Sequence, residues 1–221
     1  MADSDIILVF VRLPRPGEVK TRLGKTMGNR AAAEIYRAFA EDVMDTVKST
    51  GFAFQVHFSP PGEQEAVRAW LGGVDLVPQT PGDLGARMRN ALAGAFLNGA
   101  ERAVVIGSDS PDLPKSALSE ALDALKRHDA VIGPAGDGGY YLIGFSSKGF
   151  SPEAFSGPEW GTGGVLADTL RILEKAGASL HTLPAHWDVD TKEDLDRLME
   201  RAKGSSFMES RTMAALSGIL P

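Results

Sequence analysis

The feature that most constrains this chain is an alternation. Short, β-branched apolar runs take turns with longer stretches of helical period. Ile6-Ile7-Leu8-Val9-Phe10-Val11 is unbroken by any polar residue, as a strand buried on both faces must be. Residues 29–49 then place Ile35, Phe39, Val43 and Val47 every fourth position, with Gly51 where a C-terminal glycine cap belongs. The pattern predicts strands at 54–58, 74–77, 103–106, 130–132 and 179–183. It predicts helices at 63–71, 84–97, 115–127, 165–175 and 192–203. Residues 140–145 follow the preceding strand too closely for a helical crossover, so that strand is expected to run antiparallel. Such alternation argues for an α/β fold, a doubly wound, mostly parallel sheet with helices on both faces. Residues 1–203 read as a single α/β domain. Residues 204–221 read as a tail, weakly periodic and able to form a short packed helix.

Composition narrows the chemistry. The 221 residues include no cysteine, which excludes disulfides, thiolate metal sites and a cysteine nucleophile. With a start that does not read as a signal peptide and no apolar run long enough to span a bilayer, a cytoplasmic protein is expected. The net charge of −6 argues against a nucleic-acid partner. Locally the balance reverses. Arg12, Arg15, Lys20, Arg22 and Lys25 stand close together against Glu18 alone. A basic cluster on an acidic chain suits a specific anion site; the plain alternative is a solvated loop.

Ligands of doubly wound sheets bind beyond the C-terminal strand ends, so the loops there matter most. After the first strand, Pro14 and Pro16 stiffen the segment and Gly17 permits a close backbone approach. Arg12, Lys20, Thr21 and Arg22 then offer charge and a hydroxyl to phosphate oxygens. The spacing fits neither a P-loop nor a Gly-x-Gly-x-x-Gly fingerprint. After the 103–106 strand, Gly107-Ser108-Asp109-Ser110-Pro111-Asp112 sets Asp109 to bind a hard cation, Mg2+ or Mn2+. Asp112 is read as the cap of the helix that follows. Asp188 and Asp190 alternate along an extended segment; either completes a metal pair, or Asp190 or Thr191 caps the last helix. Residues 136–139, a glycine turn carrying Asp137, can approach a sugar or phosphate, or form an ordinary hairpin. The segment from Gly82 through Gly85 to Arg87 opens a helix and can meet an anion or a base edge.

Taken together, Pro14-Arg15-Pro16-Gly17-Glu18-Val19-Lys20-Thr21-Arg22-Leu23, Gly82-Asp83-Leu84-Gly85-Ala86-Arg87-Met88, Gly107-Ser108-Asp109-Ser110-Pro111-Asp112-Leu113, Asp137-Gly138-Gly139-Tyr140-Tyr141-Leu142-Ile143-Gly144 and Asp188-Val189-Asp190-Thr191 resemble the nucleotide-diphospho-sugar transferase superfamily, with its GT-A-like fold. More narrowly, they resemble a functionally uncharacterised bacterial family described as glycosyltransferase-like. Lys20-Thr21-Arg22-Leu23 is also similar to the phosphate-binding stretch of phospholactate guanylyltransferases. The resemblance implies a transferase acting on a nucleoside triphosphate or nucleotide sugar and a small-molecule acceptor; a homodimer is left open by the tail, which can pack on the domain or on a second subunit. It implies catalytic roles for Lys20, Arg22 and Asp137, and metal ligation by Asp109 and Asp190. Nucleotide binding falls to Arg12, Pro14, Gly17, Lys20, Thr21, Arg22, Gly82, Gly85, Arg87 and Ser108. Gly138, Gly139 and Tyr140 fall on the acceptor or sugar. Two departures stand out: prolines replace most of the glycine-rich first loop, and Asp109-Ser110-Pro111 lacks the second acid of an Asp-x-Asp. Nucleotidyl transfer is the preferred reading, glycosyl transfer or non-catalytic nucleotide binding the alternatives.

Overall fold

The computed structural model describes residues 4–157 and 159–219; Met1, Ala2, Asp3, Pro158, Leu220 and Pro221 lie outside the described residues. Seven strands form one sheet: β1 (Asp5–Arg12), β2 (Ala53–Ser59), β3 (Leu76–Pro78), β4 (Arg102–Ile106), β5 (Ala130–Pro134), β6 (Tyr140–Ser146) and β7 (Leu180–Thr182). Their order is β3-β2-β1-β4-β6-β5-β7. All neighbours run parallel except β6, which is antiparallel to both β4 and β5. The hairpin through residues 135–139 is too short to return the chain to the opposite edge, which forces that reversal.

The helices are α1 (Thr21–Met27), α2 (Asn29–Thr50), α3 (Gln64–Leu71), α4 (Leu84–Leu97), α5 (Lys115–Ala124), α6 (Val165–Lys175), α7 (Lys192–Ala202) and α8 (Arg211–Ile219). One face of the sheet buries Ile7, Val9, Val104 and Ile106 with Leu118 and Leu122 of α5. The other buries Leu8, Val105, Ile132 and Ile143 with Leu92 of α4. This two-sided burial is why β1 and β4 read as continuous apolar runs. A third cluster joins Leu23, Ile35 and Phe39 to Leu195 and Leu198 of α7 and Met213 and Leu216 of α8. The tail is thereby docked: Asp42 of α2 accepts the backbone amides of Arg211 and Thr212 and caps α8.

The sequence pattern did not predict α1. Its residues, from Thr21 to Met27, look like loop because prolines and cations precede them, yet Leu23 is fully buried under α2 and fixes the turn as helix.

The chain runs outward from β1 to β2 and β3, then crosses back to β4 on the opposite side of β1. The β1/β4 boundary is therefore a topological switch point, where diverging loops leave a crevice at the C-terminal ends.

Candidate active site

A cavity of about 550 Å³ opens at that crevice. Arg12 reaches it from the end of β1 and Arg22 from the first turn of α1. Ser108 and Asp109 come from the loop after β4, Asp137, Gly139 and Tyr140 from the β5–β6 hairpin, and Asp188 and Asp190 from the segment before α7. Residues far apart in sequence thus converge because the sheet delivers its parallel strands to one edge, and antiparallel β6 starts there too.

Lys20 is at the centre of the electrostatics. Its backbone sits in the left-handed region, φ 44°, just before α1. That turn sends the ammonium inward, where it donates to Asp190 at 2.8 Å and also to Asp109. Its side chain is 3% exposed, whereas those of Asp109 and Asp190 are 44% and 45% exposed. Burial works against the charge on Lys20, but Asp109 and Asp190 outweigh it and raise its pKa above the usual lysine range. The ring of Phe39 lies 5.8 Å behind the ammonium.

The two acids differ in what holds them. Asp190 is not the helix cap: Thr191 caps α7 in a reciprocal box with Asp194, and Asp190 faces the cavity instead. Asp188 accepts from Ser110 Oγ at 2.5 Å. Burial pushes its pKa up to about 6, with Asp109 and Asp137 adding repulsion against the opposing pull of Ser110 and Lys20. Asp112, expected as a helix cap, is not one: Pro114 holds the N-cap position of α5. Asp112 turns toward α7 and pairs with His186 at 3.1 Å and Arg201 at 3.0 Å. Burial favours its neutral form, but those two partners prevail and lower its pKa.

The remaining candidates separate by position. Ser108 is buried, and its hydroxyl meets Tyr36 Oη at 2.8 Å; the same phenol accepts the Arg12 amide, so Tyr36 ties the β1 and β4 loops together. Burial, aided by Asp109, raises the Tyr36 pKa to about 12, keeping it neutral. Pro14, Gly17, Thr21, Gly82 and Arg87 do not line the cavity. Arg87 bonds the Gly82 carbonyl and reaches Gln79, which does line it. Gly85 lies under Trp160, whose ring occupies the space a Cβ would need. Gly138, φ 88°, backs onto the Gly163 carbonyl rather than onto open space. The Tyr140 hydroxyl is buried beside Thr169, while its ring meets Trp160 edge-on at 6.3 Å.

Sequence reasoning missed the apolar wall: Phe10, Leu84, Met88, Trp160 and Val165. The signal was there in Trp160, set among Gly157, Gly161, Gly163 and Gly164.

Among the described residues, no group of three or more His, Asp or Glu is arranged to hold a metal. A pair suffices for Mg2+ or Mn2+, whose remaining ligands are water and substrate phosphate. The pair here already holds a cation, Lys20, at one oxygen of each carboxylate. Among the described residues no hydrogen bond reaches Asp109 Oδ2 or Asp190 Oδ2. The donor set therefore fits a hard divalent ion.

The sheet order, the switch-point cavity and the acids beyond β4 define a GT-A-like, nucleotide-diphospho-sugar transferase fold. The chain belongs to the bacterial family described as "Uncharacterized protein conserved in bacteria (DUF2064)", matched over residues 42–162. It is 41% identical to a Desulfovibrio desulfuricans G20 protein whose name places it provisionally among nucleotide-diphospho-sugar transferases. That match has TM-score 0.95 and covers 98% of this chain and 95% of the other. It is 28% identical over 131 residues to the phosphoenolpyruvate guanylyltransferase of Mycobacterium leprae (strain Br4923), covering 58% of this chain. The chain spans 59% of that relative's length. A Mycobacterium tuberculosis H37Rv protein solved in complex with manganese shares the fold at TM-score 0.52 and 20% identity, covering 89% of this chain and 98% of that one. No described helix is long and apolar enough to cross a membrane.

Proposed function

We propose that this chain is a metal-dependent nucleotidyltransferase, moving a nucleoside monophosphate from a nucleoside triphosphate onto a small acidic acceptor. The observation that carries the reading is Arg12 and Arg22 lining the same cavity as the half-exposed Asp109–Asp190 pair. Cations and a metal-ready acid pair in one crevice suit a polyphosphate and little else. The guanylyltransferase among the relatives makes GTP the first donor to test and a phosphorylated enol acid the first acceptor.

In this reading an acceptor oxygen attacks the α-phosphorus, the bond to the β-phosphate oxygen breaks, and pyrophosphate leaves. Arg22 and Arg12 bind the phosphates and stabilise charge that gathers on the departing group. Asp109 and Asp190 hold Mg2+ or Mn2+, which supplies charge neutralisation at the phosphates when bound. Asp137, fixed by the Gly139 amide at 2.9 Å, bounds the acceptor side. The apolar wall around Trp160 and Met88 takes a base or an acceptor's hydrocarbon part and keeps water out. Residues 1–203 act as the nucleotide-binding unit, with 204–221 as an appended tail.

A thermal-shift screen tests the reading, because a ligand of the folded state raises Tm by mass action. The reading expects a Mg2+-dependent rise with GTP or another triphosphate. A rise with nucleotide sugars alone assigns the site to glycosyl transfer, the alternative that the Asp137 hairpin favours. No rise with any nucleotide removes both.

A further inference from the structure

The cation that fills the acid pair is part of the chain, and its placement differs from that of a phosphate ligand. Arg12 and Arg22 line the cavity; Lys20 does not. Its ammonium is almost wholly buried, while the two carboxylates it pairs with are half-exposed and line the cavity. Four carboxylates, Asp109, Asp137, Asp188 and Asp190, line the cavity against the two arginines, so Lys20 carries a large share of the compensating charge. To touch a phosphate its ammonium would have to leave the two acids that offset its burial.

Resting on the nucleotidyltransferase reading, we propose that Lys20 is a built-in counter-cation: its charge weakens the Asp109–Asp190 pair enough that a divalent ion binds tightly only together with a nucleotide's phosphates. The physical reason is plain. Two carboxylates attract a divalent ion strongly, but a fixed positive charge within hydrogen-bond distance of both repels it. Phosphate oxygens restore the missing negative charge and supply the missing ligands. The site then avoids trapping free metal, and metal and nucleotide become mutually required. By linkage each must strengthen the other by the same factor. Lys20 on this account is a positioning residue rather than a catalytic one.

The test is a Mn2+ titration followed by electron paramagnetic resonance, on the intact protein with and without GTP as the probe nucleotide. Without GTP, Lys20→Met is expected to bind Mn2+ about tenfold or more tighter than the parent, since one opposing charge is gone. Lys20→Arg, which keeps the charge, is expected to stay weak. A lysine that serves only as a clamp or phosphate ligand predicts the opposite for Lys20→Met: equal or weaker Mn2+ binding, and that result overturns the proposal. Should Lys20→Met fail to fold, the parent protein still decides. Its Mn2+ affinity must rise when GTP is present, and equal affinity with and without bound GTP overturns the proposal. Absence of any GTP binding sinks the nucleotide reading and this proposal with it. GTP binding with Mn2+, but no gain in Lys20→Met, sinks the counter-cation alone.

Discussion

The Lys20 ammonium donates to Asp190 at 2.8 Å, joining residues 170 positions apart in the chain. Because the same nitrogen also donates to Asp109, the loops after β1 and β4 and the segment before α7 are fixed to one point. The first prediction follows from what each acid touches. Asp109→Ala should lower metal-dependent nucleotide affinity at least about tenfold, the loss of one charged ligand. Some stability should be lost as well, because the buried Lys20 ammonium then keeps only Asp190 as a partner. Asp112→Ala should instead leave nucleotide binding nearly intact, while costing about 1–3 kcal/mol of stability by stranding Arg201 and His186. Urea melts and nucleotide titrations on both variants check the pair; equal binding losses would refute the division.

Arg22 makes a second, separable prediction. It lines the cavity and forms no ion pair among the described residues, so its charge is available to an anion. Arg22→Ala should weaken triphosphate binding about tenfold or more and make the remaining affinity less sensitive to salt. Calorimetric titration at low and high ionic strength reads both effects. An unchanged affinity would mean the phosphates lie elsewhere.

The apolar wall gives a third. Trp160 lies over Gly85 where a methyl group would stand. Gly85→Ala should displace the indole, change tryptophan fluorescence and weaken binding of whatever the wall holds, while helix α4 gains slightly from alanine. A variant with unaltered fluorescence and affinity would show that Trp160 does not shape the site.

His57 supplies a pH prediction away from the acids. It is buried and stacked on Phe10 at 5.4 Å. Burial lowers its pKa from 6.5 to about 4, against a weaker raising pull from Asp75. Between those values the unfolded chain binds the proton and the folded one does not. The contribution of His57 is therefore fully present above pH 6.5 and is lost as pH falls toward 4, by about 3 kcal/mol in all. Denaturation curves at pH 7 and pH 4.5 should show the loss, and His57→Phe should flatten it. A parent and variant with the same pH slope would contradict this.

Much of this was legible from residues. Unbroken apolar runs marked β1 and β4 because both faces of the sheet are covered, and the crowding of residues 130–145 marked β6 as antiparallel. Loops beyond the parallel strands then pointed to Asp109 and to the basic loop with Arg12 and Arg22, but spacing left Asp188 and Asp190 as alternatives and only the family resemblance favoured Asp190. What sequence could not convey was direction. A left-handed turn at Lys20 sends its ammonium inward onto the acids, and no spacing rule reports that. Asp112 looked like a cap because it precedes a helix, but its oxygens found Arg201 from α7, a contact made only in three dimensions. Trp160 went unnoticed because its loop has no periodicity to read.

Binding of a triphosphate in one cavity through Asp109, Asp190 and a divalent ion is tested most directly by calorimetric titration of GTP into the protein. Binding is expected with Mg2+ present, strongly reduced when Mg2+ is chelated and reduced to a similar degree in Asp109→Ala. Binding of equal strength with and without the metal, and in Asp109→Ala, would contradict it.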